Sequence, residues 1–258
     1  MKYKLKIFIS ILFMFCYYNY SISQGSAGET PSYETRYCVD MPTAGVISKS
    51  KFGIYSRVFN GGGIFCSMNA APFKNFNIGV GFSGSNIIGN GDVVWQSIPS
   101  VELRLRIFNE NHQIPAILLG VSTQGTGTYS NSQKRFETYS PGVFLALSKN
   151  YTYSLGSVAF TGGICYSFES PSKKRTPNFW IGMEHSLGSS LSINLEYNAN
   201  LDDNNKSYIT KRGILNSVLR WSVASGFTVE ILARDLLVHK SGAVGFERSL
   251  GLEYVASF

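Results

Sequence analysis

The sequence predicts an all-β protein: an antiparallel transmembrane β-barrel of about 12 strands, with short periplasmic turns and longer extracellular loops. Three observations predict this fold. Apolar and polar side chains alternate in segment after segment, the connections are alternately short and long, and the chain ends on an aromatic residue. The composition agrees with it, because only 15% of the 258 residues are charged, against about 25% in an average soluble domain.

The first segment has the pattern of an export signal. Lys2, Lys4 and Lys6 precede an apolar run at 7–18, and the small residues near Ser23 fit a cleavage site. A short membrane anchor is the alternative, although the run is shorter than a bilayer span. We therefore assign 1–23 to a signal peptide, 24–50 to an N-terminal periplasmic tail and 51–258 to the barrel. An exported chain that is only mildly basic is not expected to bind nucleic acid.

The barrel strands are predicted from a period of two residues. In 101–107 every second residue is aliphatic and every residue between is charged, which places the two kinds on opposite faces of a strand. The same period recurs in 75–83, 191–197 and 227–234. Weaker alternation gives the other strands, which span 51–59, 62–70, 113–122, 141–149, 157–168, 177–187, 212–223 and 247–258.

The connections predict which ends of the strands lie on the same side. The short connections are 71–74, 109–112, 150–156, 188–189 and 224–225. The long connections, rich in Gly, Ser, Asn and Asp, are 85–98, 123–140, 169–176, 199–211 and 235–246. This alternation is typical of outer-membrane barrels, in which turns face the periplasm and loops face outward. Of the loops, 85–98 and 123–140 are the candidates for surface contacts, although solvated loops look the same.

Alternation also separates the lumen from the lipid. The outward residues are mostly aliphatic, and Trp221 and Tyr197 are candidates for interfacial aromatic girdles. The lumen-facing charged candidates are Glu102, Arg104, Arg106, Glu196, Arg220, Glu230 and Arg234. Opposite charges facing one lumen can pair across it. Such a barrel encloses either a narrow water-filled passage or a packed polar core, and the sequence leaves both open.

The last strand resembles the C-terminal β-signal that the barrel-assembly machinery of Gram-negative bacteria recognises. Apolar residues occupy every second position up to the terminus. These candidate assembly-signal residues are Leu250, Leu252, Tyr254, Ala256 and Phe258. The resemblance implies three kinds of partner: the assembly machinery, outer-membrane lipids and lipopolysaccharide.

The order of several short motifs within 75–258 resembles the YjbH-like outer-membrane proteins, although typical members are longer. The motifs are Pro99-Ser100 leading into 101–106, Pro115-Ala116, Gly120, Gln124-Gly125, Ser148-Lys149-Asn150-Tyr151, Glu196-Tyr197, Asp202-Asp203-Asn204, Leu219-Arg220-Trp221 and Asp235-Leu236. Because typical members are longer, this chain would hold a single barrel unit. The resemblance implies an association with exopolysaccharide. We therefore expect a non-enzymatic barrel that serves in export or passage of polysaccharide or small solutes, or in surface architecture.

Two alternatives remain open. An outer-membrane lipid hydrolase or acyltransferase would place a histidine beside a serine nucleophile near the membrane edge, and His185, close to Ser186 and Ser189, is the candidate. A soluble β-protein is the other alternative, but its exposed aliphatic faces would aggregate in water. No metal or cofactor is expected. Cys38, Cys66 and Cys165 lack the spacing of a zinc site, and the GxGxxG match at 79–84 lies within a strand.

Overall fold

The computed structural model describes residues 34–153, 156–169 and 176–258, so the predicted signal peptide lies outside the described residues. All of the regular secondary structure in these residues is β-strand. The strands of the barrel wall are β1 Lys51–Phe59, β2 Gly63–Phe73, β3 Phe76–Ser85, β5 Ser100–Phe108, β6 Ala116–Ser122, β9 Gly142–Tyr153, β10 Gly156–Tyr166, β11 Asn178–Leu187, β12 Leu191–Asn198, β13 Ile214–Ala224, β14 Phe227–Arg234 and β15 Glu247–Ser257. Three shorter strands lie in the long connections, β4 Val94–Trp95, β7 Thr126–Ser130 and β8 Arg135–Thr138.

The wall is a closed antiparallel barrel of 12 strands, which confirms the predicted fold class. Each wall strand pairs with its neighbour along the chain, and the first and last strands close the ring: Lys51 of β1 pairs with Ser257 of β15, and Val58 pairs with Leu250. Closure leaves no strand edge of the wall unpaired. An all-β sheet can enter a lipid bilayer only under that condition, because lipid offers no hydrogen bonds to backbone groups.

The two-residue alternation corresponds to an inner and an outer face. Along β5 the charged Glu102, Arg104 and Arg106 are buried inside the barrel, whereas Val101 and Leu105 point outward and are exposed. Trp221 and Tyr197 are also exposed on the outer face, and they lie near opposite ends of the barrel because their strands are antiparallel. Across the described parts of the chain, no helix is both long enough and apolar enough to cross a membrane.

The two ends of the barrel differ. At one end, which we call the turn end, the strands are joined by short connections such as 74–75, 188–190 and 225–226. At the opposite end, the loop end, most connections are long, and these contain β4, β7 and β8. The alternation of short and long connections therefore agrees with the expectation, except at 60–62, where a short turn joins β1 and β2 at the loop end.

The N-terminal segment corrects the expectation of a periplasmic tail at 24–50. Its described part does not extend away from the barrel. Residues 35–47 are almost all buried and contact side chains from most of the wall strands. We call residues 34–47 the lumen hairpin. This placement could not be predicted from the sequence, because the segment forms no long strand and shows no alternation.

Candidate functional site: the barrel lumen

The lumen hairpin enters from the turn end, reverses direction in the middle of the barrel and returns. Its two arms are joined by the hydrogen bond from Thr43 N to Arg36 O (2.9 Å), and its tip is closed by the bond from Cys38 N to Met41 O (2.9 Å). Ile47 at its end is fixed by Asn77 near the turn end of β3, whose Oδ1 accepts from Ile47 N at 2.7 Å. The hairpin is thus a short loop of chain inserted into the barrel.

One carboxylate of the wall holds the tip. Glu196 Oε2 accepts hydrogen bonds from three consecutive backbone N–H groups, those of Val39 (2.8 Å), Asp40 (3.0 Å) and Met41 (2.8 Å). Glu196 Oε1 accepts a fourth bond from Asn216 Nδ2 at 3.0 Å. A charged acceptor makes stronger hydrogen bonds than a neutral one, so this carboxylate anchors the tip.

An arginine of the wall holds the arms by donating hydrogen bonds to their backbone carbonyl groups. Arg104, which is fully buried, donates to the backbone carbonyls of Thr43 (2.6 Å), Arg36 (2.8 Å) and Gly45 (3.2 Å). Arg106 donates to Ala44 O at 3.0 Å and pairs with Glu34. Two arginines of one strand therefore bond to backbone carbonyl groups on both arms of the hairpin, where buried carbonyl groups need partners.

Charged side chains of the hairpin pair with the opposite wall. Arg36 Nη2 lies 2.5 Å from Glu253 Oε1, and Asp40 Oδ1 lies 2.9 Å from Arg57 Nη1 and 3.7 Å from Arg234 Nη1. Breaking a buried pair by removing one partner is strongly destabilising, because the other charge is left without compensation. These pairs fix the hairpin to strands on both sides of the closure point.

Apolar contacts fill the remaining space between hairpin and wall. Met41, Ala44 and Val46 of the hairpin form one cluster with wall residues that include Phe144 and Trp180. At Gly182 of β11 the wall has no side chain, and a Cβ there would lie 2.5 Å from Cys38 Sγ of the hairpin. The wall is thus shaped to this segment, which explains why the glycine stands at an inward position.

The structure places all seven lumen-facing charged candidates inside the barrel, and six of them contact the lumen hairpin. Glu102 accepts from Tyr37 Oη at 2.6 Å, and Arg220 donates to Tyr37 O at 2.9 Å. Glu230 contacts Arg220 (2.6 Å) and Tyr55 rather than the hairpin. The expectation was that opposite charges pair inside the lumen. Glu102 pairs with Arg104 at 2.7 Å and Glu230 pairs with Arg220, but most of the seven also reach the inserted segment.

Sequence reasoning missed several residues of this site. The same alternation that identified the other candidates puts Arg57 and Glu253 on the inner face, so that signal was present. No comparable signal marked Arg36 and Asp40, because they lie in a segment without a regular period.

The hairpin divides the lumen into two cavities. The loop-side cavity has a volume of about 70 Å³, and its lining includes Arg36, Arg57, Glu102 and Arg220. The turn-side cavity is larger, about 350 Å³, and its lining includes Lys49 and Arg106. The hairpin therefore fills part of the lumen, and a cavity lined partly by charged side chains remains on each side of it.

A second hairpin, formed by β7 and β8, lies at the loop end. Its Arg135 is buried, pairs with Asp203 Oδ2 at 2.6 Å, and has its guanidinium carbon 4.0 Å from the ring centroids of both Tyr139 and Tyr208. Glu169 accepts from Phe136 N at 2.9 Å. These contacts join three of the long connections to one another.

Two carboxyl groups near Arg135 have shifted pKa values. Burial first, and then the neighbouring charges of Asp203 and Glu169, raise the pKa of Asp202 to about 6. Burial also raises the pKa of Glu169 above its ordinary value. The loop cluster thus holds more carboxylates than its single arginine compensates, which makes it sensitive to pH.

The histidine candidate for lipid chemistry lies apart from the lumen. His185 is on the outer side of β11, 3.1 Å from Tyr153 Oη and 3.2 Å from Ser157 O. The three described cysteines are free, with Cys38 and Cys165 buried and Cys66 exposed. Within 34–153, 156–169 and 176–258, no group of side chains has the composition of a metal site.

The candidate assembly-signal residues lie on β15 and just beyond it. Leu250, Leu252 and Tyr254 are exposed on the outer face, Ala256 is half-buried, and Phe258 is exposed at the end of the chain. The ring of Phe258 stacks on that of Phe52, with centroids 6.5 Å apart. These contacts place the terminus at the seam where the barrel closes.

Comparison with known proteins gives little beyond the architecture. No family model matches the chain, and no curated protein matches it. Among solved structures, the NanC porin shares 10% identity over 80% of this chain and 99% of its own, with a TM-score of 0.44. The outer-membrane protein Omp33 of Acinetobacter baumannii shares 7% identity over 81% of this chain and 99% of its own, with a TM-score of 0.46. At these scores neither likeness carries an argument, and the fold rests on the strand pairing described above.

Proposed function

We propose that this protein is a non-enzymatic outer-membrane β-barrel that passes small solutes, and that the lumen hairpin limits what passes. The observation that carries the proposal is that the closed wall is apolar on its outer face and charged on its inner face. Large apolar side chains such as Ile78, Leu105 and Ile231 are exposed outside, while arginines and carboxylates are buried inside. Such an outer surface would aggregate in water but is suited to lipid.

The connections support an orientation for this barrel. Short turns face the periplasm and long loops face outward in outer-membrane barrels, so the turn end is the periplasmic end. The lumen hairpin then enters from the periplasmic side, where an exported N-terminus begins. Lipids and lipopolysaccharide surround the wall, and the barrel-assembly machinery inserts it.

The filled lumen favours small solutes over a polysaccharide. A polymer needs a continuous passage of constant width, whereas the loop-side cavity is about 70 Å³ and the hairpin lies between it and the turn-side cavity. The polysaccharide role that the YjbH-like resemblance implies draws no support from these contacts. The lipid-enzyme alternative draws none either, because the contacts of His185 are a phenol and a backbone carbonyl rather than a serine hydroxyl.

Conductance of the purified protein in a planar bilayer tests the proposal. Heat-modifiable gel migration on the same sample establishes that the barrel is folded. We expect small, steady single-channel currents, and uptake into liposomes that decreases steeply with solute size. A folded barrel that carries no current, and admits no solute in liposomes, would contradict the proposal.

A further inference from the structure

The loop-side cavity lies between the lumen hairpin and the wall, and its polar groups are unequally satisfied. Its carboxylates are already engaged. Glu253 accepts from Arg36, Glu230 accepts from Arg220 at 2.6 Å and from Tyr55 at 3.0 Å, and Asp40 accepts from Arg57 at 2.9 Å. The fourth carboxylate of the lining, Glu102, accepts from Tyr37 at 2.6 Å and from Arg104 at 2.7 Å. The cavity therefore has little remaining capacity to accept hydrogen bonds from a cation.

Its arginines, in contrast, have N–H donors that are not engaged in hydrogen bonds. Arg36 Nε and Nη1, Arg57 Nε and Arg220 Nη1 are buried and have no hydrogen-bond partner among the described residues. All three side chains are more than nine-tenths buried and line this one cavity. A buried charged donor without a partner is unfavourable, so the site favours whatever supplies an acceptor, and a negatively charged acceptor most of all.

The size and the other lining groups narrow the class of ligand. A volume of about 70 Å³ holds on the order of five water molecules, which corresponds to a small organic anion. The rings of Tyr37, Tyr55 and Phe65 supply an apolar side, and Asn69 Oδ1, which has no partner among the described residues, is an acceptor for a hydroxyl group. A short hydroxylated carboxylate matches this combination of groups better than an inorganic ion does.

We infer that the loop-side cavity binds small hydroxycarboxylates, with their carboxylate held by Arg36, Arg57 and Arg220. The inference rests on the proposed function and names the class of solute. Because Arg36 belongs to the lumen hairpin whereas Arg57 and Arg220 belong to the wall, the ligand bridges the two. One carboxylate would satisfy donors from both sides of the cavity.

Binding is tested apart from conduction, by ligand-observed NMR of the folded protein in deuterated detergent. The probe is lactate, with acetate and chloride as competitors. The test variant is Arg220→Gln with Glu230→Gln, which removes one donor and its ion-pair partner together and keeps the net charge. The control is Lys149→Gln with Glu110→Gln, which removes an ion pair outside the cavity, N to O distance 3.6 Å.

We expect lactate to bind more tightly than acetate, chloride to compete weakly, and the test variant to weaken lactate binding about tenfold while the control leaves it unchanged. If the test variant does not fold, Arg57→Gln with Asp40→Asn replaces it, with the same expected loss. Equal lactate binding by wild type and a folded test variant, or displacement by chloride as readily as by acetate, would overturn the inference.

The two proposals fail differently. A conducting barrel that does not bind lactate contradicts the carboxylate site and leaves passage of small solutes intact. A barrel that binds lactate with the expected dependence on Arg220 but carries no current contradicts passage, and supports a carboxylate site in a closed barrel.

Discussion

At the scale of single residues, the lumen hairpin depends on a small number of wall side chains that each make several bonds. Glu196 satisfies three backbone N–H groups with one oxygen, and Arg104 satisfies three carbonyls. A side chain that bonds to several buried groups is costly to remove, because several hydrogen bonds are lost at once.

Replacement of Glu196 should therefore free the tip of the hairpin. In Glu196→Ala the tip N–H groups stay buried without a partner, at a cost of about 3 kcal/mol, which shifts the opening equilibrium of the tip by roughly a hundredfold. We expect larger and noisier single-channel currents, measured in a planar bilayer. Glu196→Gln retains one acceptor oxygen for the tip N–H groups but loses the charge and the bond from Asn216 Nδ2, so as the matched control it should lie between wild type and the alanine variant. Identical currents for the alanine variant and wild type would show that the tip does not limit passage.

Asp202 makes the loop cluster dependent on pH. Folding raises its pKa from 3.8 to about 6, so the folded state favours the protonated form. The cost of ionising it is absent below about pH 4 and rises to its full value above about pH 6, so stability decreases across this interval. Asp202→Asn should raise the thermal midpoint of the folded gel band at pH 8 and leave it little changed at pH 4. An equal shift at both pH values would refute the assignment.

Residue-level prediction succeeded where a strand imposes a direction. Alternation placed Glu102, Arg104 and Arg106 on the inner face, and the structure places them there. It could not identify their partners, because an inward side chain meets whatever fills the lumen. The filling comes from 34–47, which is distant in sequence and has no period of its own.

At the scale of elements, the lumen hairpin contains no long strand, and its conformation is held by contacts with the barrel wall. Its two arms share few bonds with each other and many with the wall, so its stability depends on the barrel. Its position beside Gly182, where a Cβ would lie 2.5 Å from Cys38 Sγ, offers a direct way to fix it in place.

Gly182→Cys should form a disulfide with the native Cys38 under oxidising conditions. If solutes pass only when the hairpin moves, oxidation lowers the conductance of this variant about tenfold, and a reducing agent restores it. The control is the same variant with Cys38→Ser, which should not respond to oxidation. Equal currents in the oxidised and reduced states, with the disulfide shown by mass spectrometry, would mean that solutes pass a stationary hairpin.

The wall strands were predicted well because each combines alternation with turn residues at its ends. The short strands β4, β7 and β8 were not predicted. β7 and β8 lie in 123–140, whose composition predicts a polar loop. They are held by contacts such as the ion pair of Arg135 with Asp203, which the local sequence does not indicate. A local sequence pattern cannot predict elements that are held by contacts with residues distant in the sequence.

At the scale of the whole molecule, the barrel closes where β15 meets β1. Phe258 N donates to Ser50 O at 3.1 Å, and its ring stacks on Phe52. The terminus thus contributes to the seam as well as presenting the candidate assembly signal. Both roles predict that the last residue affects how much folded barrel reaches the membrane.

A chain that ends at Ser257 should yield several-fold less heat-modifiable barrel in the outer-membrane fraction than the full chain. The matched control is Phe258→Tyr, which keeps a terminal aromatic ring and should assemble as well as wild type. Assembly of the shortened chain at the wild-type level would argue against an assembly signal at this terminus.

The sequence by itself determined the architecture of the wall. A period of two residues dictates which side chains face in and which face out, and twelve such segments with alternating connections leave a closed barrel as the structure that satisfies every backbone group in lipid. Tertiary structure alone decided what occupies the lumen. The physical reason is that the hairpin at 34–47 owes its conformation to bonds with Arg104, Glu196 and other wall residues, and only the closed barrel brings those side chains together around it.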